Sequence, residues 1–419
     1  MKILISAYAC ETGRGSEGEI AWRMVQELAR THDVRVITRA NLRPVHEATF
    51  AMAPKPERLE FIYFDLPWIF RFYKRGKRFF LVYYYMWQIG VGLRARKALR
   101  EAPADVLHHL TGGMDWMPSG LALCPGPFVW GPVGSENTHP TILPTLPLAA
   151  QAKEAVRVAL RWTLRTLDPF TRLTATRTSL ILSHTPETLP RRYRAKVRPF
   201  VQTGIADLPA LARPKQEFAR GETLRLVYAG ELKDWKGARI ALNAVLRHFE
   251  IDPDAELVVI GDGPLRGQME AAAAAHPEGV RVTFLGKVPM ERLVDQLHRG
   301  DIFLYPSFHH GLATVVLQAM LTGLPVVCIE GDATGRAVGM TAGVTAKLSN
   351  ETPPHEAVSD AISVLAVDEA QRQALGRAAR LIALEHYSYD ALSRRIEQAY
   401  RDVLATTTNN SASILKEDV

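Results

Sequence analysis

The chain contains little cysteine. Its 419 residues include three cysteines, Cys10, Cys124 and Cys328, which lie far apart and form no CxxC pair. An odd number of widely spaced cysteines does not indicate a disulfide framework, and without CxxC pairs no cysteine-based zinc site is indicated either. We therefore expect a protein of a reducing compartment, the cytoplasm.

Long apolar runs are also missing. The most apolar segment after the first strand, residues 79–91, has 13 residues and includes Gln88 and Gly90, whereas a helix needs about 20 residues to cross a bilayer. Residues 1–6 enter an apolar strand directly, with no small-residue cleavage site after a hydrophobic run. We predict neither a transmembrane helix nor a signal peptide.

Several common catalytic motifs are absent. No GxGxxG follows the first strand, and the chain has no GxxxxGK[ST], no HExxH and no serine-hydrolase elbow. The usual dinucleotide, P-loop, zincin and serine-hydrolase mechanisms therefore lack their residues. The candidate binding sites are therefore the loops between strands and helices, where open α/β sheets bind their ligands.

The composition is that of a soluble folded protein, with 47% hydrophobic and 23% charged residues, and the length predicts two to three domains. The net charge of +7 is unevenly distributed. Residues 1–200 carry 29 basic and 16 acidic residues, or +13, which leaves −6 for residues 201–419. A basic half indicates either an anionic partner or simply a solvated surface.

Strand-like runs alternate with longer helical patterns, as in parallel α/β proteins. The candidate strands are 3–7, 34–37, 59–64, 106–109, 128–130 and 179–183, followed by a second series at 224–228, 256–260, 282–285, 302–305 and 325–329. Turn-forming residues without apolar periodicity separate the two series. The predicted fold class is α/β with two doubly wound domains, divided as 1–204, a linker 205–223, 224–390, a C-terminal helix 391–405 and a flexible tail 406–419.

The most informative segment is residues 306–326, PSFHHGLATVVLQAMLTGLPV. It places a glycine-containing loop at a helix start, where free backbone N–H groups bind phosphate. The segment resembles the donor-site signature of retaining GT-B glycosyltransferases of the GT4 family (glycosyltransferase group 1), P-S-x-x-E-G-F-G-x-x-x-L-E-A-M-x-x-G-x-P-V.

Other segments resemble the same family in the same order, so that the resemblance covers nearly the whole chain. They are the Gly15-Ser16-Glu17 loop, Trp130 to Gly134, Val227 to Gly237, Val259 to Pro264 and Val282 to Gly286. The resemblance implies the GT-B fold, two Rossmann-like domains facing across a cleft. It also implies an N-terminal domain for the acceptor, a C-terminal domain for the nucleotide sugar, and a C-terminal helix that crosses back to the N-terminal domain.

The resemblance also implies a donor site. The residues that would bind the nucleotide sugar are Gly15, Ser16, Gly230, Lys236, Gly311, Leu312, Ala313, Thr314 and Gln318. The donor would be a UDP- or GDP-sugar, transferred with retention of configuration and without a cofactor or catalytic metal. Single residues also have purely structural explanations. Ser16 is a typical helix N-cap, and Lys236 is a typical lysine at a helix start.

Two histidines are the candidate catalytic residues. His109 follows a short strand, and in related enzymes a histidine after this strand lies beside the reacting sugar. His108 is then a core residue, and Leu110 occupies the second histidine position of the family's H-x-H. The other candidate, His310, stands where the family has the first glutamate of E-x7-E, and Gln318 replaces the second. Glu231 replaces the family's arginine in G-R-L, which leaves Lys236, helped by Lys233, to neutralise the diphosphate.

Residues 66–87 interleave ten aromatic residues with Arg71, Lys74, Arg75, Lys77 and Arg78. This combination is typical of proteins at anionic membrane surfaces. Alternatively, the aromatic residues form core and the charges an exposed face. Binding of single-stranded nucleic acid is disfavoured because no RNA-binding module accompanies the segment.

The predicted function is therefore transfer of a hexose from a nucleotide sugar to a glycan or lipid-linked acceptor in polysaccharide or lipopolysaccharide assembly. The protein would be cytoplasmic and peripheral on the inner face of the cell membrane. Two rivals remain open. One is a UDP-sugar 2-epimerase, which needs a carboxylate where His310 stands. The other is a catalytically degenerate GT-B protein that only binds a sugar or a partner, which the replacements at 310 and 318 favour.

Overall fold

The computed structural model describes residues 1–12, 16–72, 79–135, 137, 142–145, 148–205, 223–308, 311–331, 333–339 and 341–417. The chain divides into two compact units. The first contains Met1–Ser135, Val156–Gln202 and Tyr389–Val419, and the second contains Glu136–Ala155 and Thr203–Ser388.

The first unit is built on a seven-stranded parallel sheet in the order β3-β2-β1-β4-β5-β6-β7. Its strands are β1 Lys2–Ala7, β2 Asp33–Arg39, β3 Leu59–Phe64, β4 Val106–Thr111, β5 Phe128–Val133, β6 Leu180–Ser183 and β7 Val197–Pro199. The helices on this part of the chain are α1 Ser16–Leu28, α2 Arg43–Met52, α3 Phe80–Glu101, α4 Leu148–Leu167 and α5 Pro169–Arg177.

The second unit has a six-stranded parallel sheet in the order β10-β9-β8-β11-β12-β13. The strands are β8 Arg225–Ala229, β9 Glu256–Ile260, β10 Val282–Gly286, β11 Ile302–Tyr305, β12 Val326–Ile329 and β13 Gly343–Ala346. The helices are α6 Ala238–His248, α7 Arg266–Ala274, α8 Met290–Arg299, α9 Thr314–Thr322, α10 Ala333–Val338, α11 Pro354–Ala366 and α12 Glu369–Tyr387.

The predicted fold class, two doubly wound α/β domains, is confirmed. The eleven strands expected from the sequence lie within three residues of their observed bounds. Two edge strands were missed, β7 with three residues and β13 with four. Both are too short to show a period, and β13 begins with glycine while β7 ends with proline, which are poor strand formers.

The second unit also takes in part of the N-terminal half of the sequence. Residues 136–155 fall in the predicted N-terminal domain 1–204 but belong to the second compact unit. Ile142 lies in this segment and packs with Phe308 and Ile329 in a small buried cluster. A long-range apolar contact of this kind leaves no local pattern in the sequence.

The C-terminal helix, α13, spans Tyr389–Glu417 and belongs to the first unit. The sequence predicted a helix at 391–405 and a tail at 406–419, so the observed helix is longer at both ends. Beyond residue 405 the hydroxyls of Thr406 and Thr407 donate to the carbonyls of Asp402 and Val403, at 2.9 and 2.8 Å. With these side-chain hydrogen bonds, the helix continues through the polar residues Thr406 and Thr407. No helix in the described part of the chain is long and apolar enough to cross a bilayer.

The aromatic segment contributes both core and surface. Tyr83, Tyr84 and Trp87 of α3 are buried in the main cluster of the first unit, where Tyr8 contacts all three rings edge-on. Trp68, in contrast, is 70% exposed, and Ile69, Phe70, Phe72 and Phe79 are exposed as well. The core interpretation therefore applies to the aromatic residues of α3, and the surface interpretation applies to residues 68–72 and 79.

Candidate functional site

The second unit has a pocket of about 490 Å³ at the carboxyl edge of its sheet. It is lined by residues that follow three neighbouring strands, β8, β9 and β10, and by the start of α9. The lining residues are Ala229, Gly230, Glu231, Ile260, Gly261, Asp262, Lys287, Val288, Leu293 and Val315. This is the edge at which open α/β sheets bind ligands, so the pocket is the candidate nucleotide site.

Two glycines let the loops of this pocket approach each other. Gly261 has φ +128°, and a Cβ atom there would lie 1.9 Å from the carbonyl oxygen of Gly230. No side chain fits at that distance, and the positive φ itself favours glycine. The two glycines thereby bring the β8 and β9 loops into backbone contact beneath the pocket.

Lys236 lies in a short turn just before α6. Gly237, which follows it, has φ +72°, and a Cβ atom there would lie 2.0 Å from the carbonyl oxygen of Pro306. The carbonyl of Trp235 accepts from Ser307 Oγ at 3.1 Å and from Phe308 N at 3.4 Å. The lysine turn is therefore fixed against the segment that leads from β11 towards α9.

The Lys236 ammonium packs over aromatic rings. Its Nζ atom lies 4.3 Å from the Trp235 ring centroid and 5.9 Å from that of Tyr305. Lys233, which was expected to assist it, forms an ion pair with Glu231, with 2.7 Å between Nζ and Oε1. Of the two lysines, Lys236 is therefore the better candidate for phosphate.

Two threonine hydroxyls bind carbonyl groups of the residues that precede α9. Thr203 Oγ1 donates to the Leu312 carbonyl at 2.7 Å, and Thr334 Oγ1 donates to the Gly311 carbonyl at 3.4 Å. Ala313 occupies the N-cap position and makes no side-chain capping bond. The first-turn N–H groups of Thr314 and its neighbours thus have no capping side chain, and a helix N-terminus in this state attracts anions.

Gln318 lies on the second turn of α9 and is 7% exposed. Its Nε2 atom faces the sulfur of Met290 at 3.6 Å, a weak contact that a better acceptor would replace. Its assignment to a ribose stays a prediction. His310 and Gly15 lie outside the described residues, and Ser16 is described only as the first residue of α1.

His109 lies in the core of the first unit and is 1% exposed. Its Nε2 atom lies 3.4 Å from the hydroxyl of Tyr84, and its Nδ1 atom has no hydrogen-bond partner among the described residues. Burial, together with the neighbouring His108, lowers the pKa of His109 to about 3, so the imidazole is neutral near pH 7. The catalytic role proposed for it stays a prediction.

His108 behaves as the core residue that was predicted. Its Nε2–H donates to the Gly131 carbonyl at 2.6 Å, which leaves Nδ1 to accept from the Tyr400 hydroxyl at 2.6 Å. Burial lowers the pKa of His108 to about 4. The neutral tautomer therefore ties α13 to the sheet of the first unit.

Some site residues were missed by sequence reasoning. Lys287 and Val288 line the pocket directly after β10, and their position after a strand that ends in glycine was the available signal. Glu17 follows the named residues Gly15 and Ser16, and its Oε1 accepts from the N–H groups of Gly112 and Gly113 at 2.7 and 3.2 Å. Among the described residues, no group of three or more His, Cys, Asp or Glu side chains is placed to hold a metal ion.

Comparisons with known proteins bear on the family and the fold of the chain. The family model "Glycosyl transferases group 1" matches residues 212–382. A D-inositol 3-phosphate glycosyltransferase of Corynebacterium glutamicum is 29% identical over 189 residues, which cover 43% of this chain and 44% of that protein. The chain thus matches less than half the length of this relative.

Solved structures resemble the whole chain. The apo form of the lipopolysaccharide outer core galactosyltransferase WaaB has a TM-score of 0.62 at 12% identity, covering 96% of this chain and 99% of that one. Anabaena HepE in complex with UDP has a TM-score of 0.59 at 13% identity, covering 96% and 100%. The group 1 glycosyltransferase model therefore matches the second unit in residues 212–382, and the chain as a whole has the GT-B fold.

Proposed function

We propose that this protein is a retaining glycosyltransferase that moves a hexose from a nucleotide-diphosphate sugar to an acceptor hydroxyl. One observation carries the donor assignment. The Lys236 turn is bonded through Trp235 to the segment that leads to α9, so a cation and an uncapped helix N-terminus are held by the same part of the sheet edge. This is the combination that a diphosphate needs.

These groups have a definite task in the proposed reaction. As the bond between sugar C1 and the diphosphate oxygen breaks, negative charge gathers on the departing diphosphate. Preorganised N–H groups at Gly311–Thr314 and the Lys236 ammonium stabilise that charge. Retention of configuration, and transfer without a metal, follow from the GT4 resemblance. Activity that persists in EDTA is the corresponding expectation.

The proposed donor is a UDP- or GDP-sugar. The pocket lined by Gly230 and Gly261 has the size of a small-molecule site, and a structural neighbour contains UDP. Thermal stabilisation by UDP compared with GDP decides between the two bases. Product analysis with the radiolabelled nucleotide sugar then tests the reaction, because a new glycoside supports the transferase, an epimerised nucleotide sugar the epimerase, and no product the degenerate binder.

Gln318→Ala should raise the KM for the donor. Loss of a ribose hydrogen bond is worth about 0.5–1.5 kcal/mol, or about 2- to 10-fold in KM. His310→Ala, in the same assay, should lower kcat more than it raises KM if the imidazole acts on the reacting sugar. Wild-type kinetics in both variants would instead favour a protein that binds sugar without transferring it.

The proposed acceptor is a lipid-linked glycan, reached at the inner face of the cell membrane. In support, Trp68, Ile69, Phe70 and Phe72 form an exposed aromatic patch. Arg71, beside them, is half exposed and pairs with Asp65 at 3.2 Å. The other four basic residues of this segment lie outside the described residues.

The wild-type protein should sediment with phosphatidylglycerol vesicles at low salt and be released at high salt. Each basic residue near an anionic surface contributes about 1 kcal/mol, so changing Arg71, Lys74, Arg75, Lys77 and Arg78 to glutamine should abolish sedimentation. Changing the exposed Arg239, Arg292 and Arg299 of the second unit to glutamine serves as the control and should have no effect. A five-residue variant that sediments like wild type would remove the patch from the proposal.

A further inference from the structure

From Val156 onwards, helix α4 turns its charged residues towards the protein. Between Val156 and Leu167 the charged residues are Arg157, Arg161 and Arg165, which lie one turn apart on one face and are only partly exposed. The Arg165 guanidinium pairs with the fully buried Asp115 at 2.8 Å and donates to the Thr188 carbonyl at 2.7 Å. Arg161 lies 6.0 Å from the ring centroid of Trp116. This face of α4 is fixed by polar contacts.

The outward face of α4 is apolar. Val156 is 70% exposed and Trp162 is 57% exposed. At 100° per residue, Val156, Leu160, Trp162 and Leu167 lie on the part of the helix circumference that the three arginines leave free, whereas Val158 lies beside Arg165. A surface helix of a soluble protein has the reverse arrangement, with its apolar stripe towards the core. An exposed apolar face of this kind indicates an interaction surface.

The surroundings that fit are those of an anionic bilayer surface. From residue 155 to residue 178 the single acid is Asp168, whose carboxylate caps α5, and of the five arginines the three of α4 face the protein. Arg172 and Arg177 of α5 are exposed. Apolar residues and a tryptophan on one face, with basic residues at the edge, are typical of helices that lie in the headgroup region.

The same face continues onto α3. Asp168 accepts a hydrogen bond from the Tyr85 hydroxyl at 2.7 Å, and Tyr85 contacts Phe170 edge-on. Leu81 and Val82, one turn before Tyr85, are exposed. The end of α4 is thereby joined to the helix that follows the aromatic patch at residues 68–72.

We propose that the outward face of α4 inserts into the headgroup region of an anionic membrane and forms a second docking element beside the aromatic patch. The proposal rests on the proposed function only in taking the membrane as the place where the acceptor is met. It makes α4 lie parallel to the bilayer surface, with its arginine face towards the protein.

A fluorescent label at residue 160 tests the proposal. The three native cysteines are buried, so a cysteine introduced as Leu160→Cys takes an NBD label selectively. Phosphatidylglycerol vesicles should shift its emission to the blue and raise its intensity about twofold or more, while phosphatidylcholine vesicles should have little effect. Val364→Cys on α11 is a matched control, since Leu160 and Val364 are both 47% exposed, and its label should not respond.

A third label, introduced as Phe72→Cys, separates the two membrane elements. A response at 72 without one at 160 overturns the α4 proposal and leaves the aromatic patch standing, whereas silence at both positions removes both. The NBD emission at residue 160 could instead shift without vesicles and in proportion to the protein concentration. If light scattering then also shows a dimer, the proposal is overturned, and a second copy of the chain covers this face. In the unlabelled protein, the double variant Leu160→Gln and Trp162→Gln should partition onto vesicles about tenfold or more weakly than wild type.

Discussion

Replacing Lys236 with alanine is expected to weaken binding of the nucleotide diphosphate about 10- to 100-fold. A charge-assisted contact to phosphate is worth about 1.5–3 kcal/mol. The Lys236 ammonium packs against the Trp235 and Tyr305 rings, and the Trp235 carbonyl is part of the loop contact that fixes this turn. Calorimetric titration with UDP and with UDP-glucose measures the loss directly.

Arg239→Ala provides the matched control for Lys236→Ala. Arg239 lies on the first turn of α6, three residues further along the chain, and its guanidinium pairs with Asp234 at 3.1 Å. An exposed pair of this kind contributes less than about 1 kcal/mol, so its loss should leave nucleotide affinity nearly unchanged. Equal affinities in wild type and Lys236→Ala would remove the phosphate assignment, and with it the main support for the donor site.

Acidification from pH 7 to pH 4 is expected to destabilise the first unit strongly. The pKa of His108 is lowered by burial to about 4 and that of His109 to about 3, whereas an unfolded histidine titrates near 6.5. Between these values the unfolded chain binds protons that the folded chain does not. The stabilisation is therefore complete above pH 6.5 and falls as the pH falls, by about 3 kcal/mol per histidine at pH 4.

His109→Gln tests this expectation. The variant should lose about 3 kcal/mol less stability than wild type between pH 7 and pH 4, measured by urea unfolding at several pH values. Part of the effect comes from His108, since each imidazole disfavours the charged form of the other. His386→Gln, at an exposed position, should follow the wild-type curve. Parallel curves for wild type and His109→Gln would show that the buried histidine does not control acid stability.

The sequence predicted the sheets and the motif loops well because both have local causes. Short, mostly apolar runs mark buried parallel strands, and eleven of the thirteen strands were found from such runs. Gly311–Thr314 were named because a glycine-containing loop at a helix start offers free N–H groups, whereas Gly230 and Lys236 were named from the GT4 resemblance.

The same reasoning did not reach contacts between distant segments. Lys287 and Val288 enter the pocket only because β10 is hydrogen-bonded beside β9. The Trp235 carbonyl reaches Ser307, 72 residues further along the chain. The Trp235–Ser307 contact has no local pattern, and Lys287 and Val288 have only the glycine that ends β10, since strand order and loop packing follow from long-range burial.

What the sequence determined by itself is the class of fold, the family resemblance and the candidate phosphate-binding groups, since these depend on residue type, period and spacing. The tertiary structure decided which of two adjacent histidines is hydrogen-bonded at both nitrogens, because the partner of His108, Tyr400, lies 292 residues away. It also decided the orientation of α4. That helix has an apolar and a basic face, and the contacts of Arg165 with Asp115 and with the Thr188 carbonyl hold the arginines inward.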